Sequence, residues 1–337
     1  MPCSYTHHFT PKAHPDRYLR YLVRVSGYNM RTSYMPADSK PILVDLSYKG
    51  LLSASGPDAV PFLQGQLSTD IEKLGPDVSQ LSSWSNAKGR VVTLIRLFRR
   101  GDDIYMGLPA SLKSAVLKRL SMYVLRSQVT LMDAGDNLST LGLIGQGAPA
   151  LLEQAGLPVP AQANDLTHTD GIQTIRLHGR TPRYAIYGEA DALEGLKRRW
   201  ELVTLSGAED LWALHKIHAG EPTIFAETSE HFVAQMLALE ELGAIDFKKG
   251  CYIGQEVIAR AHYRGGVKRH LARAECRTEV QFRPGMELHA EGQESPVAEV
   301  VNARRDEAGV WQMLIVVQDD AREMKLRHAG GAPVTLI

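Results

Sequence analysis

The feature of the sequence that most limits the possible fold is a change in its apolar pattern after Gly265 and Gly266. Beyond that point, short and mostly alternating apolar segments are separated by Gly, Pro and charged turns. Alternation over such short segments predicts β-strands, and several in succession predict a barrel or a sandwich. Residues 265–337 are therefore expected to form a small all-β domain from the segments "HLARAEC", "MELHAEG", "SPVAEVVNARR", "WQMLIVVQ" and "PVTLI".

The chain before Gly265 mixes strands with helices, and its composition changes after Asp136. In the first part, "PILVDL" and "GLLSAS" predict strands, a short helix and a hairpin follow, and residues 110–124 carry apolar side chains at helical spacing. A strand, a Gly-rich turn and a helix follow Asp136. Further strands and another helix are predicted up to Leu205. A chain of 337 residues exceeds one average domain. The pattern therefore predicts an α+β fold of two or three domains.

Composition argues against several classes of protein. Lys and Arg total 38 and so do Asp and Glu, so no overall field draws the chain to nucleic acid or to a membrane. Three cysteines without zinc-like spacing argue against a disulfide framework and a zinc site, and they suit a reducing cytosol. The longest apolar runs, such as "MLIVV", are too short to span a bilayer. Residues 1–37 lack the apolar core of a secretory signal. We therefore expect a cytoplasmic protein with a poorly ordered extension at residues 1–37.

The segment "SGAEDLWALHKIHAGEP" predicts a helix. Ser206 is a suitable N-cap, Glu209 follows three residues later as in a capping box, and Gly220 would end the helix. His215 and His218 lie on adjacent turns, but no third ligand is close in sequence. No metal site is predicted.

The segment "GAIDFKKGCYIGQEVIARAHYRGG" predicts a strand, a turn and then a helix. Cys251 would precede the helix N-terminus beside Lys248 and Lys249, and both features place positive potential near the sulfur and favour a thiolate. Residues 248–273 contain seven basic residues and one acid, Glu256, which predicts a patch that attracts anions. The residues alone leave three roles open for the thiol: a reagent, a ligand contact or a small core side chain.

The run "KGCYIGQE", Lys249–Glu256, resembles the signature K-G-C-[FY]-x-G-Q-E of the YgfZ family of folate-binding proteins. These proteins are similar to the aminomethyltransferase, or T-protein, of glycine cleavage. The signature has eight positions and one is free, so a chance match is improbable. The resemblance covers the chain from Leu43 to its C-terminus and includes the stretches "FLQGQLSTDI", "NAKGR" and "EHFVAQMLALEELGAIDF".

The resemblance implies a three-domain ring of the aminomethyltransferase (GcvT) type, with two α+β domains plus a C-terminal β-barrel. A discontinuous first domain would comprise residues 38–136 and 207–264, the second residues 137–206, and the third residues 265–337. Tetrahydrofolate, a folate, would bind in the central hole. The protein, expected to be a monomer, would assist iron–sulfur enzymes such as tRNA methylthiolation enzymes, so its link to tRNA would be indirect.

The resemblance also implies roles for residues of the signature and of the helix that follows it. Cys251 would be the functional thiol, which attacks, carries or protects a sulfur or cluster intermediate, or lines the pocket. One thiol cannot hold a stable iron–sulfur cluster, which normally needs four ligands. Lys249, Arg260 and Arg264 would hold the anionic glutamate tail of folate. The remaining cofactor-binding residues would be Gly250, Tyr252, Gly254, Gln255 and Glu256.

The chain departs from the family pattern at several positions. Ala234 and Ala238 stand where the family has Pro and Asn, so a polar contact in the central hole would be lost. His218 stands where the aminomethyltransferases hold the pterin with Glu. Thr93 and Leu94 occupy the place of those enzymes' catalytic Asp pair. The losses argue against aminomethyl transfer, which needs an acid or carboxylate near the reacting nitrogen.

Three alternatives to the folate-binding assembly protein stay open. The first is a tetrahydrofolate-dependent, aminomethyltransferase-like one-carbon transferase. The second is a module that contacts tRNA through residues 260–273, which the neutral chain and the scarcity of interleaved aromatic residues make weaker. The third is a scaffold in which Cys251 is inert.

Overall fold

A computed structural model describes residues 40–337, and the extension predicted for residues 1–37 lies outside them. The described helices are α1 (Ala59–Gln64), α2 (Ala110–Ser121), α3 (Ala148–Gln154), α4 (Ala190–Trp200), α5 (Glu209–His218) and α6 (Gln255–Tyr263). No helix among residues 40–337 is long and apolar enough to cross a membrane. The described strands are β1 (Ile42–Asp45), β2 (Gly50–Ser55), β3 (Gln80–Ser85), β4 (Val91–Arg100), β5 (Asp103–Leu108), β6 (Thr130–Asp133), β7 (Ser139–Ile144), β8 (Leu166–Thr169), β9 (Ile172–Arg176), β10 (Arg183–Gly188), β11 (Leu205–Gly207), β12 (Arg269–Cys276), β13 (Glu287–Ala290), β14 (Pro296–Arg305), β15 (Trp311–Gln318), β16 (Leu326–His328) and β17 (Pro333–Leu336).

The first sheet is antiparallel and has five strands in the order β3-β4-β5-β2-β6. Its longest element is strand β4, "VVTLIRLFRR", whose first eight residues are all buried because neighbouring elements cover both faces. Helix α2 packs on this sheet through Leu112, Val116 and Leu120. These three residues lie on the apolar face that the helical spacing predicted.

The second sheet has six strands in the order β11-β1-β7-β10-β9-β8. Strands β1 and β11 run parallel, and the other pairs are antiparallel. Helices α3 and α4 contribute Leu152, Leu196 and Trp200 to a core shared with this sheet. Strand β1 lies in the part of the chain assigned to the first domain, yet it pairs within the second sheet. The domain limits inferred from the sequence stay a prediction.

The C-terminal strands close into a six-stranded barrel in the order β12-β15-β14-β13-β16-β17. The five segments predicted from alternation all form strands, and the three-residue strand β16 was not predicted. Strand β15 is buried on both faces. Met313 and Ile315 fill the barrel, whereas Leu314 and Val316 pack into the core of the first sheet. The predicted α+β class with a C-terminal β-barrel is confirmed.

Two local predictions were wrong. Ser206 does not cap α5, which starts at Glu209 after Ala208 and has no side-chain cap hydrogen bond. Ser206 lies instead in β11, paired with Leu43, because pairing with β1 satisfies its backbone. The segment "GAIDF" forms no strand. Its backbone bonds to scattered partners instead, including Asp246 N to Ser68 O at 2.9 Å.

Gly142 in β7 determines how closely α5 approaches the second sheet. A Cβ atom at this position would lie 2.5 Å from Cζ3 and 2.7 Å from Cε3 of the buried Trp212 ring. We expect Gly142→Ala to lower the free energy of unfolding by about 1–3 kcal/mol, because the ring must shift in a packed core. The measurement is urea unfolding followed by tryptophan fluorescence.

The matched control for this substitution is Gly195→Ala, on the exposed side of α4. An added Cβ at Gly195 meets nothing within 4 Å, so alanine should stabilise the helix by about 0.5–1 kcal/mol. Equal effects of the two substitutions would contradict the packing argument.

Candidate functional site

A cavity of about 450 Å³ lies where the two sheets, helix α5 and the barrel meet. This volume falls in the range typical of small-molecule sites. Its walls include Leu94 and Arg96 of β4, Tyr187 of β10, Trp212 and Lys216 of α5, and Arg304 of β14. Elements from all parts of the fold thus contribute to one concave surface.

A buried ionic cluster forms one side of the cavity. The carboxylate of Glu221 accepts a hydrogen bond from Arg183 Nη2 at 2.8 Å and lies 3.4 Å from Lys216 Nζ. Burial alone would raise the pKa of Glu221. Lys216, Arg183 and Arg96 outweigh that effect and hold the pKa well below its ordinary value. Glu221 is therefore ionised, and its charge is already matched.

Lys49 and Arg96 are basic residues of the same wall, and within residues 40–337 neither forms an ion pair with a carboxylate. Lys49 Nζ lies 4.7 Å from the centre of the Trp212 ring, and among the described residues it makes no hydrogen bond or ion pair. Desolvation, followed by the charge of Lys216, lowers the pKa of Lys49 well below its ordinary value. Arg96 is 8% exposed, and its Nη2 atom is buried without a hydrogen-bond partner. The cavity therefore presents more positive charge than its own carboxylate neutralises.

The signature segment lies away from this cavity wall. Within it, the ammonium of Lys249 is buried and donates to the carbonyl oxygens of Gln64, Leu67 and Thr69 at 2.7, 2.6 and 2.8 Å. The ring of Tyr252 lies beneath the ammonium, with 4.9 Å from Nζ to the ring centre. Burial lowers the pKa of Lys249 to about 8, so the group still carries a proton at neutral pH.

Cys251 follows directly on the exposed side of the same loop, four residues before α6 begins. Gly250 beside it is exposed. Gly254 has φ +83°, and a Cβ there would lie 2.5 Å from the carbonyl oxygen of Asn86. Glycine is therefore required at residue 254 by a positive φ and by the close approach of the turn between β3 and β4.

The remaining predicted residues lie on α6. Gln255 starts the helix and is partly exposed. Glu256 and Arg260 are exposed and form an i,i+4 ion pair at 2.8 Å. Arg264 follows the last helical residue and is exposed. None of the predicted folate-contact residues lines the cavity, so their part in folate binding stays a prediction.

The structure brings together all four stretches that carry the family resemblance. Lys249 binds the carbonyls of the "FLQGQLSTDI" stretch, and Gly254 packs on the "NAKGR" turn. Gln235 of the fourth stretch donates from Nε2 to Ile258 O on α6 at 2.6 Å. Segments separated by up to 185 residues thus form one support for the exposed thiol.

All but one of the departures from the family pattern lie outside the cavity wall. His218 is exposed at the end of α5, and Thr93 is buried in β4. Ala234 is buried in a short 3-10 turn. Ala238 caps that turn with φ +53°, a left-handed conformation that Asn adopts more readily than Ala. Leu94 is the one such position that lines the cavity.

Sequence reasoning missed the cationic wall itself. Lys49, Arg96 and the segment with Lys216 and Glu221 lie far apart in the chain and follow no common spacing. One signal was present: Arg96 interrupts the apolar run of β4, where a charge needs a partner or a function. Among residues 40–337, no three His, Cys, Asp or Glu side chains are grouped to hold a metal ion.

The three bonds of Lys249 make it a structural anchor of the signature. We expect Lys249→Met to lower the free energy of unfolding by about 3 kcal/mol, because three carbonyl groups lose a charged donor. Lys248→Met is the control, since Lys248 is exposed. Chemical denaturation of both variants measures the difference, and a Lys249 variant as stable as its control would contradict the anchor role.

The two glycines that flank Cys251 should differ sharply in tolerance. Gly254→Ala should destabilise by about 2 kcal/mol or more, because a non-glycine residue is strained at this φ and its Cβ meets backbone. Gly250→Ala should change stability by less than about 0.5 kcal/mol, since its Cβ meets nothing within 4 Å. Thermal unfolding of the pair provides the test. A tolerant Gly254 would mean that the turn can move away from the signature.

Comparison with curated proteins finds close relatives. The tRNA-modifying protein YgfZ of Colwellia psychrerythraea is 32% identical over 241 residues, which cover 72% of this chain and 74% of the relative. The tRNA-modifying protein YgfZ of Cronobacter sakazakii is 33% identical over 230 residues, covering 68% and 69%. The protein of the same name from Serratia proteamaculans is 32% identical over 291 residues, covering 85% and 87%.

Comparison with solved structures supports the fold. The glycine cleavage system aminomethyltransferase T of Bartonella henselae superposes with a TM-score of 0.72 at 16% identity, covering 89% of this chain and 85% of that protein. The fold is therefore of the aminomethyltransferase type. A scan against protein-family models finds no match. The identity and coverage shared with the curated relatives nevertheless show that this chain belongs to the family of the tRNA-modifying protein YgfZ.

Proposed function

We propose that this protein binds tetrahydrofolate in the central cavity and assists the assembly or maintenance of iron–sulfur enzymes in the cytoplasm, including enzymes that modify tRNA. The observation that carries the proposal is the cavity of about 450 Å³ between the two sheets, α5 and the barrel. The family membership and the aminomethyltransferase-type fold support it.

The residues of the cavity fit a folate. Tyr48, Tyr187 and Trp212 supply aromatic surface for a flat pterin or benzoyl ring. Among the described residues, the buried donors Arg96 Nη2 and Trp212 Nε1 have no hydrogen-bond partner, and the polar edges and carboxylates of folate carry acceptors. A bound folate would supply a carrier for one-carbon groups, and this chain's residues would bind and orient it.

The exposed thiol of Cys251 supports a second part of the proposal, contact with a client protein. Cys251 does not line the cavity, so a macromolecular partner can reach it from outside. A single thiol can attack, carry or protect a sulfur or cluster intermediate transiently, but it cannot hold a cluster alone. The signature loop would present this thiol on a rigid base.

The likeness to an aminomethyltransferase favours one alternative, a one-carbon transferase. Such chemistry needs an acid or carboxylate beside the reacting nitrogen. In the cavity wall, Glu221 is paired with Arg183 and Lys216, and Leu94 offers no polar group. Robust release of a formaldehyde equivalent from an aminomethyl donor would establish the transferase in place of the proposed function.

Tetrahydrofolate should bind the wild-type protein with a micromolar Kd, about −8 kcal/mol, in a calorimetric titration. Cys251→Ser should bind it equally well, because the thiol lies outside the cavity wall. The same variant should fail to restore tRNA methylthiolation in cells that lack their own relative of this protein, since its hydroxyl is a far weaker nucleophile than a thiolate.

Two results would contradict this prediction. An absence of tetrahydrofolate binding by the wild-type protein would refute the folate proposal. Full restoration of tRNA methylthiolation by Cys251→Ser, with normal folate binding, would make the protein a scaffold whose thiol is inert.

A further inference from the structure

We propose that Lys49, Arg96 and Lys216 form a subsite in the central cavity that binds a carboxylate group of the ligand. Where that carboxylate is the glutamate tail of a folate, the inference rests on the proposed function. The subsite itself rests on the cavity's charges alone, and a different carboxylic acid could fill it.

The first argument is the charge balance of the cavity. Four basic side chains, Lys49, Arg96, Arg183 and Lys216, surround Glu221, the buried carboxylate of the wall. Arg96, Arg183 and Lys216 already outnumber this carboxylate without a charge on Lys49. The two oxygens of Glu221 face Arg183 and Lys216. The other carboxylate of the wall, Glu209, is exposed in the first turn of α5. Arg304, a further cation of the wall, is paired with Asp210 at 2.7 Å.

The second argument is the unused hydrogen-bonding capacity of two of these cations. Arg96 Nη1 donates to Asn164 and Ser79, which are neutral, and Nη2 is buried and has no partner. Lys49 Nζ lies over the Trp212 ring and, among residues 40–337, makes no side-chain hydrogen bond or ion pair. A buried guanidinium group without a counter-charge is costly, and a carboxylate is a suitable acceptor for a guanidinium or an ammonium group.

The third argument is the position of these groups on rigid elements. Arg96 lies in β4, an interior strand of the first sheet, and Lys216 is fixed on α5 by a hydrogen bond from Nζ to Thr223 Oγ1 at 2.7 Å. The Trp212 ring beneath Lys49 is 1% exposed and is held against Gly142. The cationic wall is therefore pre-organised before a ligand enters, which lowers the cost of binding.

The test compares tetrahydrofolate with tetrahydropteroate, which has the same rings but lacks the glutamate. Wild-type protein should bind tetrahydrofolate about tenfold or more tightly than tetrahydropteroate, the effect of one charged hydrogen-bonded contact. Lys49→Met should weaken tetrahydrofolate binding to the level of tetrahydropteroate and leave tetrahydropteroate binding unchanged. Lys118→Met, on the exposed face of α2, should change neither.

Proton uptake offers a second readout that a structural role would not produce. Because the cavity lowers the pKa of Lys49, a bound carboxylate should draw a proton onto this amine. Titrations of wild-type protein at pH 8 in two buffers of different ionisation enthalpy should show proton uptake with tetrahydrofolate and none with tetrahydropteroate. This measurement tests the subsite even if Lys49→Met fails to fold.

The outcomes separate the subsite from the folate proposal. If tetrahydrofolate binds but Lys49→Met affects both ligands equally or neither, the subsite is overturned and the folate proposal stands. If tetrahydrofolate does not bind, glutarate serves as the probe. Glutarate binding by the wild type that Lys49→Met abolishes supports a subsite for another carboxylic acid. No glutarate binding in that case overturns the subsite as well.

Discussion

The buried ammonium of Lys249 is the interaction on which the arrangement of the signature depends. Its three N–H groups meet three backbone carbonyls from a stretch that lies some 180 residues earlier in the chain. An irregular loop cannot satisfy those carbonyls with its own backbone, so the side chain replaces the missing secondary structure. All three N–H groups of Lys249 are therefore used within the protein, and the buried ammonium group stabilises the loop. Cys251, two residues later, lies on the outer surface of that support.

This arrangement separates two features that the sequence placed in one site. The exposed thiol belongs to the loop and the turn between β3 and β4, whereas the cavity begins at Leu94 and Arg96, farther along β4. Leu94 lies five positions after Gly89 in the chain, a separation of at most about 17 Å along an extended backbone. The signature loop thus packs on the turn at one end of β4, through Gly254, whereas the cavity lies farther along the same strand.

Much of the fold was predictable because local pattern and burial agree there. The alternating segments after Gly266 became barrel strands, and the apolar positions of α2 became its buried face. Prediction failed where distant contacts decide the local structure. Ser206 has the chemistry of a helix cap, but pairing with Leu43 places it in a strand. Strand β16 is only three residues long and includes Arg and His, so its pairing with β13 and β17 leaves no periodic signal.

The candidate site was predictable only where one continuous motif carried it. The signature gave the position of Cys251, but the cationic wall is assembled from a loop, a strand and a helix whose charges have no common spacing. Only Arg96 was conspicuous in the sequence, as a charge within an apolar strand. The wall is nevertheless the costlier feature, because buried charges rarely repay their desolvation in stability. Apolar residues at these positions would favour folding more. The desolvation cost of the buried cations is offset when they bind an anionic ligand in the cavity, which the folded chain does not itself contain.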